Sequence, residues 1–184
     1  MDKQNNDVSI GEFTGYLFEI LSDDEVVKIT EIIQVMPDYH KAFLFAVKAH
    51  YGQVDKSGNP YILHPLNVSF MVEAEDEKIL ALLHDVVEDT EYTFDDVAEL
   101  GFGHLTDALD CLTRRDTETY KEYVVRISEN RLATAVKIAD LKHNLSRKDN
   151  LPENERGIKD RYMKWLPFLE ERLKEFDEKK RWLD

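Results

Sequence analysis

The sequence predicts an all-α fold, and three observations carry that expectation. Apolar residues recur at spacings of three and four along most of the 184 residues, no segment alternates as a half-buried strand would, and helix start and stop signals follow one another in order. No internal repeat is visible. A hydrophobic content of 42% suits a packed chain of one domain, and seven glycines with five prolines exclude collagen-like and low-complexity classes.

The elements can be justified in order. Ser22, followed by Asp23, Asp24 and Glu25, reads as a helix start, so residues 1–36 are expected to form an N-terminal helical extension. Asp38 is expected to cap the next helix, where Ala42, Phe45, Ala46 and Ala49 form an apolar stripe. "KSGNPY", Lys56 to Tyr61, is loop chemistry, and a helix should restart near Pro65, a residue tolerated in a first turn. Thr93 with Asp96 reads as a capping box opening "FDDVAEL", which Gly101 ends. "GHLTDALDCLTRR", "TYKEYVVRISEN" and "RLATAVKIADLKHNL" carry helical spacing, and residues 152–184 read as one or two charged helices.

Composition restricts function without naming it. The net charge of −14 argues against a nucleic-acid partner, whose binding needs clustered Lys and Arg. The charge is uneven: residues 131–184 hold 14 Lys+Arg against 11 Asp+Glu, leaving 10 against 27 in residues 1–130. No apolar run approaches the ~18 residues of a membrane span, and "MDKQNNDVSI" has no signal-peptide pattern. Cys111 has no internal partner, and its apolar helical spacing suggests a packed thiol rather than a nucleophile. These features together predict a cytoplasmic protein with no membrane partner.

The stretch "ALLHDVVEDT", Ala81 to Thr90, breaks the pattern of a core helix. Ile79, Leu80, Leu82, Leu83, Val86 and Val87 suit burial, yet His84, Asp85, Glu88 and Asp89 fall within the same two turns. On an ideal helix these four occupy an arc of roughly 140°. One reading is a solvated acidic face; the other is a chemically loaded one. His64 in "PYILHPL" and Asp140 in "AVKIADLKHN" interrupt apolar surroundings in the same way. Two imidazoles and two carboxylates suit Mn²⁺, Fe²⁺ or Zn²⁺ better than Ca²⁺. Spacing alone does not establish that they meet.

The linked string "AHYGQVDKSGNPYILHPLNV…ALLHDVVEDTEYTFDDV…GFG…LTRR…VKIADLKHN" resembles the HD superfamily of metal-dependent phosphohydrolases. Within it, the pattern is most similar to the hydrolase domain of RelA/SpoT-type (p)ppGpp enzymes and small single-domain alarmone hydrolases. The resemblance covers roughly residues 38–148. It implies an HD-domain helical bundle over residues 37–184, with a motif core at 38–148 and C-terminal helices at 152–184. It further implies one divalent ion, typically manganese, with Fe²⁺ or Zn²⁺ as alternatives, held by His64, His84, Asp85 and Asp140. Glu88 and Asp89 would position or deprotonate the attacking water. Lys56 and Ser57 in the loop, with Asn144, Lys137, Lys142 and Arg147, would contact the substrate.

The implied activity is (p)ppGpp 3′-pyrophosphohydrolysis, an enzyme activity on a small nucleotide. No synthetase motifs occur in these residues, so the expectation is degradation only. The alternatives are an HD phosphohydrolase acting on another nucleotide or phosphoester, and a non-catalytic metal- or nucleotide-binding module. One departure favours the first of these: Asp55 stands where the resembled hydrolases carry an arginine that packs on the guanine base, and a carboxylate cannot stack so. His50 is read as supporting rather than ligating, His143 as pointing about 60° away from Asp140, and His40 and His104 as surface or capping residues. Arg114 and Arg115 are read as either a helix-end charge pair or a phosphate contact.

Overall fold

A computed structural model of the chain describes residues 37–146 and 156–182. The expected extension at 1–36, the Ser22 helix start and Arg147 lie outside the described residues.

Among the described residues the fold is built of helices, with one isolated bridge between Val54 and Pro60 in place of any strand. Helix α1 spans Asp38–Ala49 and buries Ala42 and Ala46, with Phe45 and Ala49 packed at the edge of the core. Its cap is Pro37, not Asp38 as the sequence predicts. Asp38 lies one residue inside the helix, where its carboxylate pairs with Lys41 at 2.8 Å and faces the positive end of the helix dipole.

Helix α2 (Leu63–Ser69) carries Pro65 in its first turn, as expected. Helix α3 (Glu75–Leu83) buries Ile79 to Leu83, and α4 (Val86–Asp89) is a single turn. The sequence predicts one continuous helix here, but the structure interrupts it at His84 and Asp85. Helix α5 (Phe94–Val97) has the expected capping box: Asp96 N donates to Thr93 Oγ1 at 3.3 Å, and Thr93 N donates to Asp96 Oδ2 at 2.7 Å. A wide turn, Ala98–Phe102, follows and contains Gly101 at φ 99°, a left-handed conformation that glycine tolerates without a Cβ penalty.

Helices α6 (Thr106–Leu112), α7 (Tyr120–Ile127), α8 (Arg131–Ser146) and α9 (Arg156–Arg181) complete the chain. A second capping box, Thr119 with Glu122, opens α7. Helix α8 packs against α2, α3, α6, α7 and α9, so it has almost no solvent side. Ala133, Val136, Ile138, Ala139 and Leu141 are buried around its circumference, as a central helix requires. Arg131 ties its start to Glu77 of α3 (2.7 Å) and Asp177 of α9 (2.8 Å). Asp140 sits on the inward side of α8 and is buried. Among the described residues, no helix is long and apolar enough to cross a membrane.

Candidate functional site

The break between α3 and α4 has a local cause. His84 Nδ1 lies 2.8 Å from the carbonyl oxygen of Ala81. A carbonyl only accepts, so the imidazole must donate from Nδ1. That bond uses the acceptor which a continuing helix would offer to the Asp85 amide. It also fixes a proton on Nδ1, and Nε2 projects into the interior.

Four side chains converge there from three helical segments. His64 Nε2, from α2, is 3.2 Å from Asp140 Oδ1 of α8 and 3.5 Å from Asp85 Oδ2. His84 Nε2 is 3.0 Å from Asp85 Oδ2 and 3.9 Å from Asp140 Oδ1. His64, His84 and Asp140 offer ligand atoms that all lie within 4.8 Å of one another. The three are at most 6% exposed and so are largely shielded from bulk water. Despite the nearby carboxylate, His84 Nε2 makes no hydrogen bond and is a buried polar atom without a partner. Such an atom is costly to leave buried without a well-aligned partner. The donor set, two imidazoles with adjacent carboxylates, fits a divalent cation.

The electrostatics agree. Burial would raise the Asp140 carboxyl, but the Lys137 ammonium and the His64 and His84 imidazoles outweigh it and hold it well below the usual range. Lys137 Nζ is 2.9 Å from Asp140 Oδ2, one turn back on the same helix, and lies 5.1 Å from the Tyr123 ring centroid. Burial likewise opposes ionisation of Asp85, and the charged His84 beside it reverses the balance. Burial opposes the charge on His84, yet Asp85 and then Asp140 push its pKa up to about 9. Asn144 Nδ2 donates to Asp140 Oδ1. The asparagine thus holds the carboxylate from one turn away.

A second layer links α4 to the loop. The Tyr61 hydroxyl is 2.6 Å from Asp85 Oδ2 and 3.1 Å from Asp89 Oδ2, so one proton bridges both carboxylates. Gln53 Nε2 donates to the Asp89 carbonyl (2.8 Å), and its oxygen accepts from His50 Nδ1 (2.9 Å). His50 is buried, and burial lowers its pKa. Glu88 Oε2 accepts from the Arg114 amide at 2.8 Å. Burial raises the Glu88 carboxyl, and burial together with the Asp85 charge raises Asp89.

The other predicted residues fall in different places. Lys56 and Ser57 are exposed on the loop before α2. Asp55 Oδ1 accepts from the amides of Ser57 (2.8 Å) and Asn59 (3.0 Å), which fixes that loop from within. Lys142 turns away from the converging group and pairs with Glu170 of α9 at 2.8 Å. His40 and His104 are exposed, the latter 3.4 Å from Asp76, and burial pushes the Cys111 thiol up. Sequence reasoning missed Tyr61 and gave His143 no role. The signal for Tyr61 was its place three residues before His64, on the inner side of the turn entering α2. His143 Nδ1 lies 2.8 Å from His64 Nδ1.

Comparison with known proteins identifies the family. No family model matches the chain. A GTP pyrophosphokinase of Myxococcus xanthus is 30% identical over 136 residues, covering 64% of this chain and 18% of that protein. The bifunctional (p)ppGpp synthase/hydrolase SpoT of Escherichia coli is 32% identical over 160 residues, covering 78% and 22%. A probable guanosine-3′,5′-bis(diphosphate) 3′-pyrophosphohydrolase of Synechocystis is 33% identical over 135 residues, covering 64% and 18%. The chain therefore spans about a fifth of the length of these curated relatives. A solved structure of a metazoan SpoT ortholog, described as hydrolysing ppGpp, superposes with a TM-score of 0.61 at 23% identity. The match covers 79% of this chain and 96% of that one, so the two share a fold. By sequence and fold, the chain carries an HD-type domain of the RelA/SpoT-like family.

Proposed function

We propose that this domain, over residues 37–184, is a Mn²⁺-dependent (p)ppGpp 3′-pyrophosphohydrolase. The observation that carries the reading is the convergence of the buried His84 Nε2 with His64, Asp85 and Asp140. These four side chains would hold the cation, and the relatives named as 3′-pyrophosphohydrolases supply the substrate. When bound, such an ion polarises a phosphoryl oxygen and acidifies water.

The chain's own groups account for the remaining chemistry. Asp89, tethered through Tyr61, and Glu88, held by the Arg114 amide, present carboxyls with raised proton affinity on the turn after the His-Asp pair. One of them takes a proton from the attacking water. Water oxygen bonds to the phosphorus on the ribose 3′ oxygen, the bond from that phosphorus to O3′ breaks, and O3′ takes up a proton. Water and ppGpp thus yield GDP and pyrophosphate. Lys56 and Ser57, on the exposed loop, contact the diphosphate, and Lys137 and Asn144 keep Asp140 in place. The test is pyrophosphate release from ppGpp by Mn²⁺-loaded protein, lost in Asp85→Ala and on chelation. Hydrolysis of another nucleotide with ppGpp left intact would overturn the substrate.

A second reading rests on Asp55. Its carboxylate is engaged by the Ser57 and Asn59 amides, so it offers no planar cation to a guanine face. An HD phosphohydrolase acting on a different nucleotide fits that loop. Turnover of nucleoside monophosphates, deoxynucleotides and NADPH, each compared with ppGpp, separates the two.

A further inference from the structure

The His64–His143 contact has a consequence for how the centre is assembled, and this step rests on the reading of His64 as a cation ligand. The two imidazoles meet through Nδ1 and Nδ1 at 2.8 Å, with ring centroids 4.9 Å apart. Only one of these nitrogens can carry the proton between them. If His143 donates, His64 must accept at Nδ1. A neutral His64 then carries its proton on Nε2, the atom that faces Asp140 and Asp85. That tautomer has no lone pair to offer to an ion. If His64 donates, its Nε2 is a free donor atom aimed at the carboxylates. His84 reaches the same state by a different route, through the Ala81 carbonyl.

We propose that His143 is the positioning residue of the centre: its Nδ1 accepts the His64 Nδ1 proton, which fixes the ligating tautomer and the ring plane of His64. The outer partner of a ligating histidine is commonly a carboxylate or carbonyl; here a second imidazole fills that place. His143 and Asp140 share α8, so one helix both supplies a ligand and orients another. The His64 ring is then flanked on both edges, by His143 of α8 at Nδ1 and by Asp140 of α8 with Asp85 of the α3–α4 turn at Nε2.

Mn²⁺ affinity of the full chain, measured by competition with a fluorescent chelator, tests this without reference to turnover. His143→Leu removes the acceptor and is expected to weaken binding by roughly 10- to 100-fold. His143→Asn places an amide oxygen near the lost Nδ1 and is expected to restore most of that affinity. Wild-type affinity in His143→Leu, or an asparagine variant no better than the leucine one, overturns the proposal. His64→Ala is the companion measurement. If it loses Mn²⁺ while His143→Leu does not, the positioning role alone fails; if it too binds normally, the metal reading fails with it. A folding defect in His143→Leu leaves a direct readout on the wild type. With Zn²⁺ bound, the ¹⁵N shifts of His64 should report a protonated Nδ1 and a coordinated Nε2. The reverse pattern sinks the inference.

Discussion

At the scale of single residues, the centre depends on imidazole and carboxylate groups that control one another's protons. His84 is pushed up to about 9 against its burial, by Asp85 and Asp140. In the metal-free protein this raised pKa contributes stability that is fully present below 6.5 and is lost as pH rises through about 9. A cation must displace that proton, so the two effects run in opposite directions. Mn²⁺ affinity is expected to climb by about tenfold per pH unit toward pH 9 and then level. Isothermal titrations across pH 6–9 check this, and a flat profile contradicts it. Lys137 provides a second residue-level expectation. It is buried against Asp140, so Lys137→Met removes the strongest positive partner of an internal carboxylate and should cost about 3 kcal/mol in the metal-free protein. Saturating Mn²⁺ restores a positive partner and should recover part of the loss, visible as a larger metal-induced rise in Tm than in wild type.

At the scale of elements, two local devices fix the connections between helices. The segment between α6 and α7 is pinned by Arg126, which donates to the carbonyls of Asp110 and Thr113 and to Glu118. The same segment supplies the Arg114 amide that holds Glu88. Arg126→Met should destabilise the fold by about 2 kcal/mol. It should also lower turnover roughly tenfold by loosening Glu88, with Mn²⁺ affinity unchanged. Loss of metal binding instead would place Arg126 in the ligand shell's support. The other device is the turn at Gly101. A Cβ there would meet nothing within 4 Å, so Gly101→Ala introduces strain without a clash. The cost should be about 1 kcal/mol, read as a lower Tm with normal activity per folded molecule.

At the scale of the whole molecule, one ion would fasten three otherwise separate segments: α2, the α3–α4 turn and α8. Binding to the folded chain alone should add stability by mass action, about 2.7 kcal/mol when free Mn²⁺ is 100 times its dissociation constant. Thermal unfolding with stepped Mn²⁺, reversed by chelator, measures it. A Tm indifferent to Mn²⁺ would mean that the four side chains do not share a cation. Asp140→Asn should abolish the rise and reduce turnover by more than about 100-fold, because it neutralises a proposed ligand.

Much of this was legible in the chain because it is local. Apolar spacing and the Thr93 capping box marked helices that the structure contains, and Gly101 closed its turn. The residue types at positions 64, 84, 85 and 140 already defined a donor set suited to a transition metal. Other features were out of reach, because they are relations between segments far apart in sequence or competitions for a single backbone acceptor. The helix break at His84 arises because a side chain takes the Ala81 carbonyl from the backbone, which periodicity cannot register. Lys137 and Lys142 look alike as basic residues on one helix, yet five positions of helical rotation turn one to Asp140 and the other to Glu170. His143 meets His64 across 79 residues of sequence. Chemical identity was determined residue by residue along the chain; which of those groups would share one proton or one ion was decided only when α8 was buried among its neighbours.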